Sequence, residues 1–489
     1  MNFLGFYSNI TKINIVNKFT PRLIFLEQIL TDIRFWIFIL LLIRLESINL
    51  PPLDEHAWRQ CITLGVARNY AEVDATFWEP KTVICDSREG ILAQEFPILN
   101  YIIFLFWSVF GEQNWVFRLI GLLTSSIGLL YFYYLVKRIF NENIAFASTI
   151  VFAVSVAFIY SRKAMPDVFS VSLCIIAIEY AYRFKNNQNF TNGLLFTLLL
   201  TLGLLSKMPA AMLLPFGYWL FDFSKVGLKK SLPIVLMGSF ALLMMILWYW
   251  VWVPWAEKTY QFRLFYPTSL MDGYRELMEN LQDLGKRFYP IALTSKISFI
   301  FCLLGVILAL YNKEKKIIIL FILSTFLLIF FMLKTGRVFS GHDYYIIPFV
   351  PIMSVMAGYT ISFLSRWKYV FFGILIVISI EAIIVHKKDF FVADFNRKYL
   401  RLESITDKYV KKSDRILINS GEGQPWMMYL AKRRGWTESD RMKDTSWVNG
   451  EATVGLKYLL IEKAKWNDTI PYPILYDDID FRLYIVKRE

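Results

Sequence analysis

Apolar residues arrive in long runs along most of this chain. Between Ile33 and His386, stretches of about 17 to 22 mostly apolar residues recur between short polar connectors, close to the roughly 20 a helix needs to cross a hydrocarbon core. Unpaired backbone N–H and C=O groups are too costly to face lipid, so such runs must be helical. Spanning helices are expected at about 33–48, 115–136, 143–161, 168–184, 193–206, 209–222, 233–252, 296–311, 317–333, 346–364 and 369–386, about eleven in all.

The run from Phe96 to Phe110 is set apart. At about fifteen residues, opened by Glu95 and Pro97 and closed by Gly111, it is short for a span. Counting it as one would also place every later basic connector outside. It therefore reads as an interfacial or re-entrant helix at the outer surface. The pair 193–206 and 209–222 is short as well, broken at Ser206-Lys207-Met208-Pro209. The first run follows Lys12, Lys18 and Arg22 and lacks a small-residue cleavage site, so a retained helix is expected in place of a removable signal.

After Ile384 the pattern becomes that of a soluble unit. Arg415 to Asn419 reads as a strand, Gln424 to Arg434 as a helix, and Tyr458 to Ile461 and Phe481 to Val486 as further strands. The expected architecture is an all-α polytopic membrane domain over 1–386, with a first extracytoplasmic loop at 49–114, followed by a small α/β extracytoplasmic domain over 387–489.

Composition sharpens this picture in two ways. With 56% hydrophobic and 19% charged residues the chain belongs to the membrane class. A formal net charge of +13 would suit nucleic acid, but its cations sit in short connectors: Lys137 and Arg138, Arg183 and Lys185, Lys225 with Lys229 and Lys230, Lys313 with Lys315 and Lys316, Arg366 and Lys368. That bias reports topology, with these connectors cytoplasmic, and excludes a nucleic-acid partner. Of the cysteines, Cys174 and Cys302 lie in apolar runs, while Cys61 and Cys85 share the first loop, where a bridge is chemically permitted.

With the amino terminus inside, carboxylates, His and extra length gather on the outer face. Asp54 and Glu55, just past the first span, could deprotonate a hydroxyl or hold a divalent cation. Arg59 and Arg68 could pair with a phosphate. Glu95-Phe96-Pro97, Ser161 to Asp167, Lys207, Arg337 and Gly341-His342-Asp343-Tyr344-Tyr345 lie on the same side. A solvated, purely structural set of loops remains the alternative for each piece taken singly.

Taken in order, Asp54-Glu55, Ala67-Arg68-Asn69, Glu95-Phe96-Pro97, Arg118, Pro166-Asp167 and Ser206-Lys207-Met208-Pro209, joined by the His342 to Tyr345 region, resemble membrane glycosyltransferases of the GT-C fold. The likeness is to bacterial relatives of the protein O-mannosyltransferases and the lipid A aminoarabinose transferases. The resemblance implies a polyprenyl-phosphate sugar donor, a glycan, lipid or protein acceptor, and inversion at the anomeric carbon, in the cell (inner) membrane. It implies Asp54 as general base, with Glu55 and Asp167 beside it. Arg59, Arg68, Lys207, Arg337 and Tyr345 become candidates for the donor phosphate, and Glu95 with His342 for a divalent metal ion, the one cofactor it leaves open. Two departures stand out: Phe96 replaces a Lys of the aminoarabinose transferases, and Ala57 replaces the Arg three residues after their loop Asp, with Arg59 nearest to it.

A secondary transporter is the rival from another class. Transporters place paired repeats and ionisable residues near the midplane, whereas here the ionisable residues gather at the outer edge of the runs.

Overall fold

The computed structural model describes residues 28–221, 224–263, 267–421 and 423–486. The basic stretch containing Lys12, Lys18 and Arg22 lies outside them. Each of the eleven expected runs is helical. Five of the described helices are long and apolar enough to cross a membrane, or six if the pair Leu281–Ala292 and Lys296–Tyr311, bent by 104°, counts as one span. Other runs form shorter helices such as Glu142–Val154 and Phe190–Ser206, and Met208–Leu220 winds as a 3-10 helix around Pro209 and Pro215.

Glu142–Val154, Pro166–Asn187 and Val350–Ser362 are buried all round over most of their length, and the helices about them bury one face and leave apolar side chains on the outside. Leu123, Ile127, Leu236, Leu243, Ile307 and Phe326 are all exposed, as expected of surfaces turned to lipid. Ile98–Phe110 follows the same rule on a smaller scale. Leu99, Ile103 and Trp107 are buried at i, i+4, i+8 spacing, and Val109 and Phe110 are exposed.

The first long connector is more structured than its composition suggests. Its core is a 16-residue helix, Ala57–Glu72, buried over twelve consecutive residues from Arg59 to Tyr70. It packs with Leu53, Val83 and Ile84 into one apolar cluster that also contains Ile416, Ile418, Met427 and Leu460 from the chain's end. All four cysteines are free, buried thiols, so Cys61 and Cys85 are packing residues and form no bridge.

Near the C terminus a five-stranded sheet runs in the order β2-β1-β3-β5-β4, with β1 at Arg415–Ile418, β2 at Arg434–Thr437, β3 at Leu456–Glu462, β4 at Ile474–Asp477 and β5 at Phe481–Ile485. β1 is parallel to β2 and β3, and β5 is antiparallel to β3 and β4. The expected helix from Gln424 to Arg434 shortens to Trp426–Leu430, and its last residue, Arg434, begins β2. Gly435 in β2 has φ 151°, and a Cβ there would run into the Ile416 carbonyl, so only glycine fits. The same residue joins the sheet to the first connector: its N–H donates to Val83 O at 3.1 Å and its carbonyl accepts from Cys85 N at 2.9 Å.

Candidate active site

Four connectors meet at one end of the bundle: the segment around Asp54, the Glu95 turn, the Ser161 to Asp167 segment, and the break at Lys207. The third is held by close packing. A Cβ on Gly121 of the Asn114–Ile139 helix would collide with the Ser161 carbonyl oxygen. One turn earlier in that helix, Arg118 donates to the carbonyls of Leu50, at 3.0 and 2.8 Å, and of Arg162, at 3.0 Å. Arg118 thereby ties the first connector to the third.

Asp54 sits at the centre of this tie. Gln60 Nε2 donates to its Oδ1 at 2.7 Å, Arg118 lies 3.7 Å from the same oxygen, and Lys163 Nζ lies 3.5 Å from Oδ2. Oδ2 is buried and has no hydrogen-bond partner. Burial alone would raise the carboxyl's pKa. Lys163, Arg118 and the Gln60 hydrogen bond outweigh it and hold the group below the usual carboxylate range.

A second cluster forms around Glu95. Arg59 Nη2 and Lys207 Nζ both donate to Glu95 Oε1, at 2.9 and 2.7 Å. Against a large burial cost, these two cations depress the Glu95 carboxyl to about 2. Lys207 Nζ also lies 3.8 Å from Asp167 Oδ1 and 5.7 Å from the ring centroids of Tyr344 and Tyr345. Asp167 occupies the first turn of Pro166–Asn187, just ahead of the expected span, where the helix N-terminus favours an anion. Burial dominates even so and raises its pKa, with Lys207 and Arg59 opposing. Asp167 Oδ2 is a second buried oxygen without a partner.

Between the clusters runs an aromatic stack. His342 stacks on Tyr344 at 5.3 Å and Tyr344 on Tyr345 at 4.9 Å, while His56 meets Tyr344 edge-on at 5.2 Å and Trp58 lies 5.6 Å from His342. Burial and the charges of Lys163, its neighbour His342 and Arg287 push the His56 imidazole down to about 3. Burial, Arg287 and Lys207 lower His342 to about 4. Both rings are neutral at neutral pH.

Asp54, Arg59, Glu95, Asp167, Lys207, His342 and Tyr345 are thus brought together, with Glu55 exposed beside them. Arg68 and Arg337 are not. Arg68 commits its donors to Glu112, at 2.6 and 3.2 Å, and to the Tyr429 carbonyl at 2.7 Å, with its guanidinium 3.9 Å over the Tyr429 ring. It fastens the C-terminal unit to the first connector. Tyr429 and Trp436 are buried packing residues. Arg337 is exposed, and its backbone N–H donates to Glu276 at 2.8 Å. Glu95 and His342, the pair expected to hold a metal, share no group of three potential ligands among the described residues, and two cations share one oxygen of the Glu95 carboxylate. Lys163, Gln60 and Arg287 complete the site. Lys163 was visible beside Asp167 in the sequence, whereas nothing in the pattern marked Arg287, whose partner is Asp343.

Residues 94–250 match the sequence model of the dolichyl-phosphate-mannose-protein mannosyltransferase family. No curated protein matches the chain in sequence. Among solved structures, ArnT from Cupriavidus metallidurans in the apo state superposes with a TM-score of 0.58 at 10% identity, covering 92% of this chain and 97% of that one. The same protein bound to undecaprenyl phosphate gives 0.57 at 10% identity, covering 91% and 96%. The Archaeoglobus fulgidus oligosaccharyltransferase AglB, in complex with an inhibitory peptide and a dolichol-phosphate, gives 0.55 at 12% identity, covering 87% of this chain and 69% of that one. The chain therefore has the ArnT-like GT-C fold of membrane glycosyltransferases.

Proposed function

We propose that this protein transfers a sugar from a polyprenyl-phosphate donor to an acceptor hydroxyl, with inversion, at the extracytoplasmic face of the cell (inner) membrane. The observation that carries the reading is one site. At one end of an apolar bundle, an ionised carboxylate with an unpartnered oxygen, Asp54, lies across the stack of His56, Tyr344 and Tyr345 from two cations held on Glu95. The ligands of the ArnT and AglB structures, undecaprenyl phosphate and dolichol-phosphate, are of the donor class this site suits.

In this mechanism Asp54 Oδ2 receives the acceptor proton as the hydroxyl oxygen attacks the anomeric carbon. Its depressed pKa keeps it ionised and ready at neutral pH, and Lys163, 3.5 Å away, holds it in place. As the bond from the sugar to the lipid phosphate breaks, negative charge grows on the departing phosphate. Arg59 and Lys207, fixed in advance by Glu95, are set to stabilise it, with Tyr345 alongside. Asp167 steadies Lys207 from the other side. One base on the acceptor side and no covalent sugar intermediate give inversion. An apolar bundle whose end frames this cluster suits a donor whose prenyl tail stays in the bilayer.

The reading is tested by reconstituting the protein in liposomes with a panel of radiolabelled polyprenyl-phosphate sugars and cell-envelope extracts. Label is expected to move from at least one donor to an acceptor. A panel left wholly unconsumed contradicts it.

A further inference from the structure

We propose that Arg138 and Arg183, held side by side by Glu179, form a headgroup site for an anionic phospholipid at the end of the bundle opposite Asp54. On the Asn114–Ile139 helix, Arg118, beside Asp54, and Arg138 lie twenty residues apart. That is about 30 Å of helix, the thickness of a hydrocarbon core. Arg118 and Arg138 therefore mark opposite headgroup levels.

Glu179 organises the site. Its side chain is fully buried in Pro166–Asn187. Arg138, from the neighbouring helix, donates to it from Nε at 3.0 Å and from Nη2 at 2.6 Å, and Arg183, one turn further on, donates from Nε at 3.2 Å. A carboxylate this deep persists only when paired, yet one arginine would neutralise it. The second leaves a net positive charge, and the two arginine side chains stay 33% and 34% exposed. Glu179 takes Nε and one Nη of Arg138 but only Nε of Arg183. Terminal nitrogens of both arginines lie outside those bonds, and such donors suit a phosphate.

The surface leading to the pair fits a lipid. Leu123, Ile127, Tyr131, Tyr134 and Arg138 recur at i, i+4, i+8, i+11 and i+15, one face of their helix. Leu123 and Ile127 are exposed, and the two tyrosines are half-buried. An acyl chain laid along this stripe has its headgroup at Arg138. The Arg183 guanidinium lies 5.1 Å from the ring centroids of both Tyr131 and Tyr180, whose hydroxyls meet at 2.8 Å. Tyrosines at the headgroup level, with basic residues between two spanning helices, are the setting in which acidic lipid headgroups bind. The nearby Lys137 and Glu142 differ, because both are exposed and their charges cancel.

The full chain in a neutral detergent is titrated with dioleoylphosphatidylglycerol or with dioleoylphosphatidylcholine, which has the same chains and no net charge, and bound lipid is counted by native mass spectrometry. The wild type is expected to bind its first phosphatidylglycerol roughly fivefold or more tightly than phosphatidylcholine, the scale of one cation at a membrane surface. Arg183→Met keeps Arg138 paired with Glu179 and cancels the net charge, so it should remove most of that preference. The triple variant Arg138→Met, Glu179→Gln, Arg183→Met takes out the network without stranding a buried charge and should remove the rest. Arg366→Met, which removes a cation from another connector, should leave the preference intact. Equal binding of the two lipids by the wild type, a preference that survives either Arg183→Met or the triple variant, or an equal loss in Arg366→Met would overturn the proposal. So would displacement of phosphatidylglycerol by inorganic phosphate at matched ionic strength, which would assign the site to a soluble anion, or dimers formed in place of lipid binding, which would assign the face to a second copy. Lipid binding is read without sugar transfer, so the result stands or falls apart from the transferase reading.

Discussion

Lys207 Nζ lies 2.7 Å from Glu95 Oε1, although 112 residues separate the two in the chain. Arg59 reaches the same oxygen, so one carboxylate aligns two cations from different connectors. A buried charge is tolerated only when paired, and here the pairing fixes the connectors relative to one another. The cations are set before any substrate arrives, the arrangement that makes electrostatic stabilisation effective.

Glu95→Gln should expose that dependence. It leaves Arg59 and Lys207 buried without their shared counter-charge, and the expected cost is about 3 kcal/mol. A clear fall in thermal midpoint in detergent is the readout. An unchanged midpoint would mean that the pairing contributes little to the fold.

Arg68 is expected to act on docking of the C-terminal unit and not on donor binding. Arg68→Met removes its contacts with Glu112 and Tyr429 and should speed proteolysis between Lys387 and Leu402 while leaving donor affinity within about twofold. A large loss of donor affinity with unaltered proteolysis would return Arg68 to the phosphate.

The two site histidines set a pH dependence of stability. Their folded pKa values, about 3 for His56 and about 4 for His342, lie below the ordinary value of 6.5. Between these limits the unfolded chain binds protons that the folded chain refuses, so stability is full above about 6.5 and falls as pH drops below it. Each group contributes at most about 1.4 kcal/mol per pH unit in that window. A His56→Gln, His342→Gln double variant should melt with a shallower pH slope between about 6.5 and 4.5 than the wild type. An equal slope would show that neither ring is kept neutral by the fold.

Much of this was legible in the residues, and the gaps have physical causes. Long apolar runs declare themselves as helices because nothing else satisfies the backbone in lipid. Ala57–Glu72 did not, because it is buried on every side: Arg59, Gln60, Thr63, Arg68 and Asn69 sit among apolar residues without a polar stripe, so no helical period emerges. Strand β2 carries Gly435 in place of an apolar side chain, and β4 lies between Pro473 and the Asp477-Asp478 pair with no fully buried residue, so neither shows the continuous apolar run that marks β1. Asp54, Glu95, Asp167 and Lys207 could be singled out because ionisable residues are costly at the edge of a membrane run. What each one touches could not, since Arg68 and Arg337 carry the same charge as Arg59 and differ only in where the fold takes them.

The central claim, that Asp54 takes the acceptor proton, is tested most directly by sugar transfer in proteoliposomes containing wild type or Asp54→Asn. The substitution preserves shape and an acceptor oxygen but abolishes the base. Transfer per inserted, folded molecule should fall by roughly 10²-fold or more, measured below the thermal midpoint that the loss of charge beside Lys163 and Arg118 is itself expected to lower. Asp54→Asn transferring at the wild-type rate would contradict the mechanism.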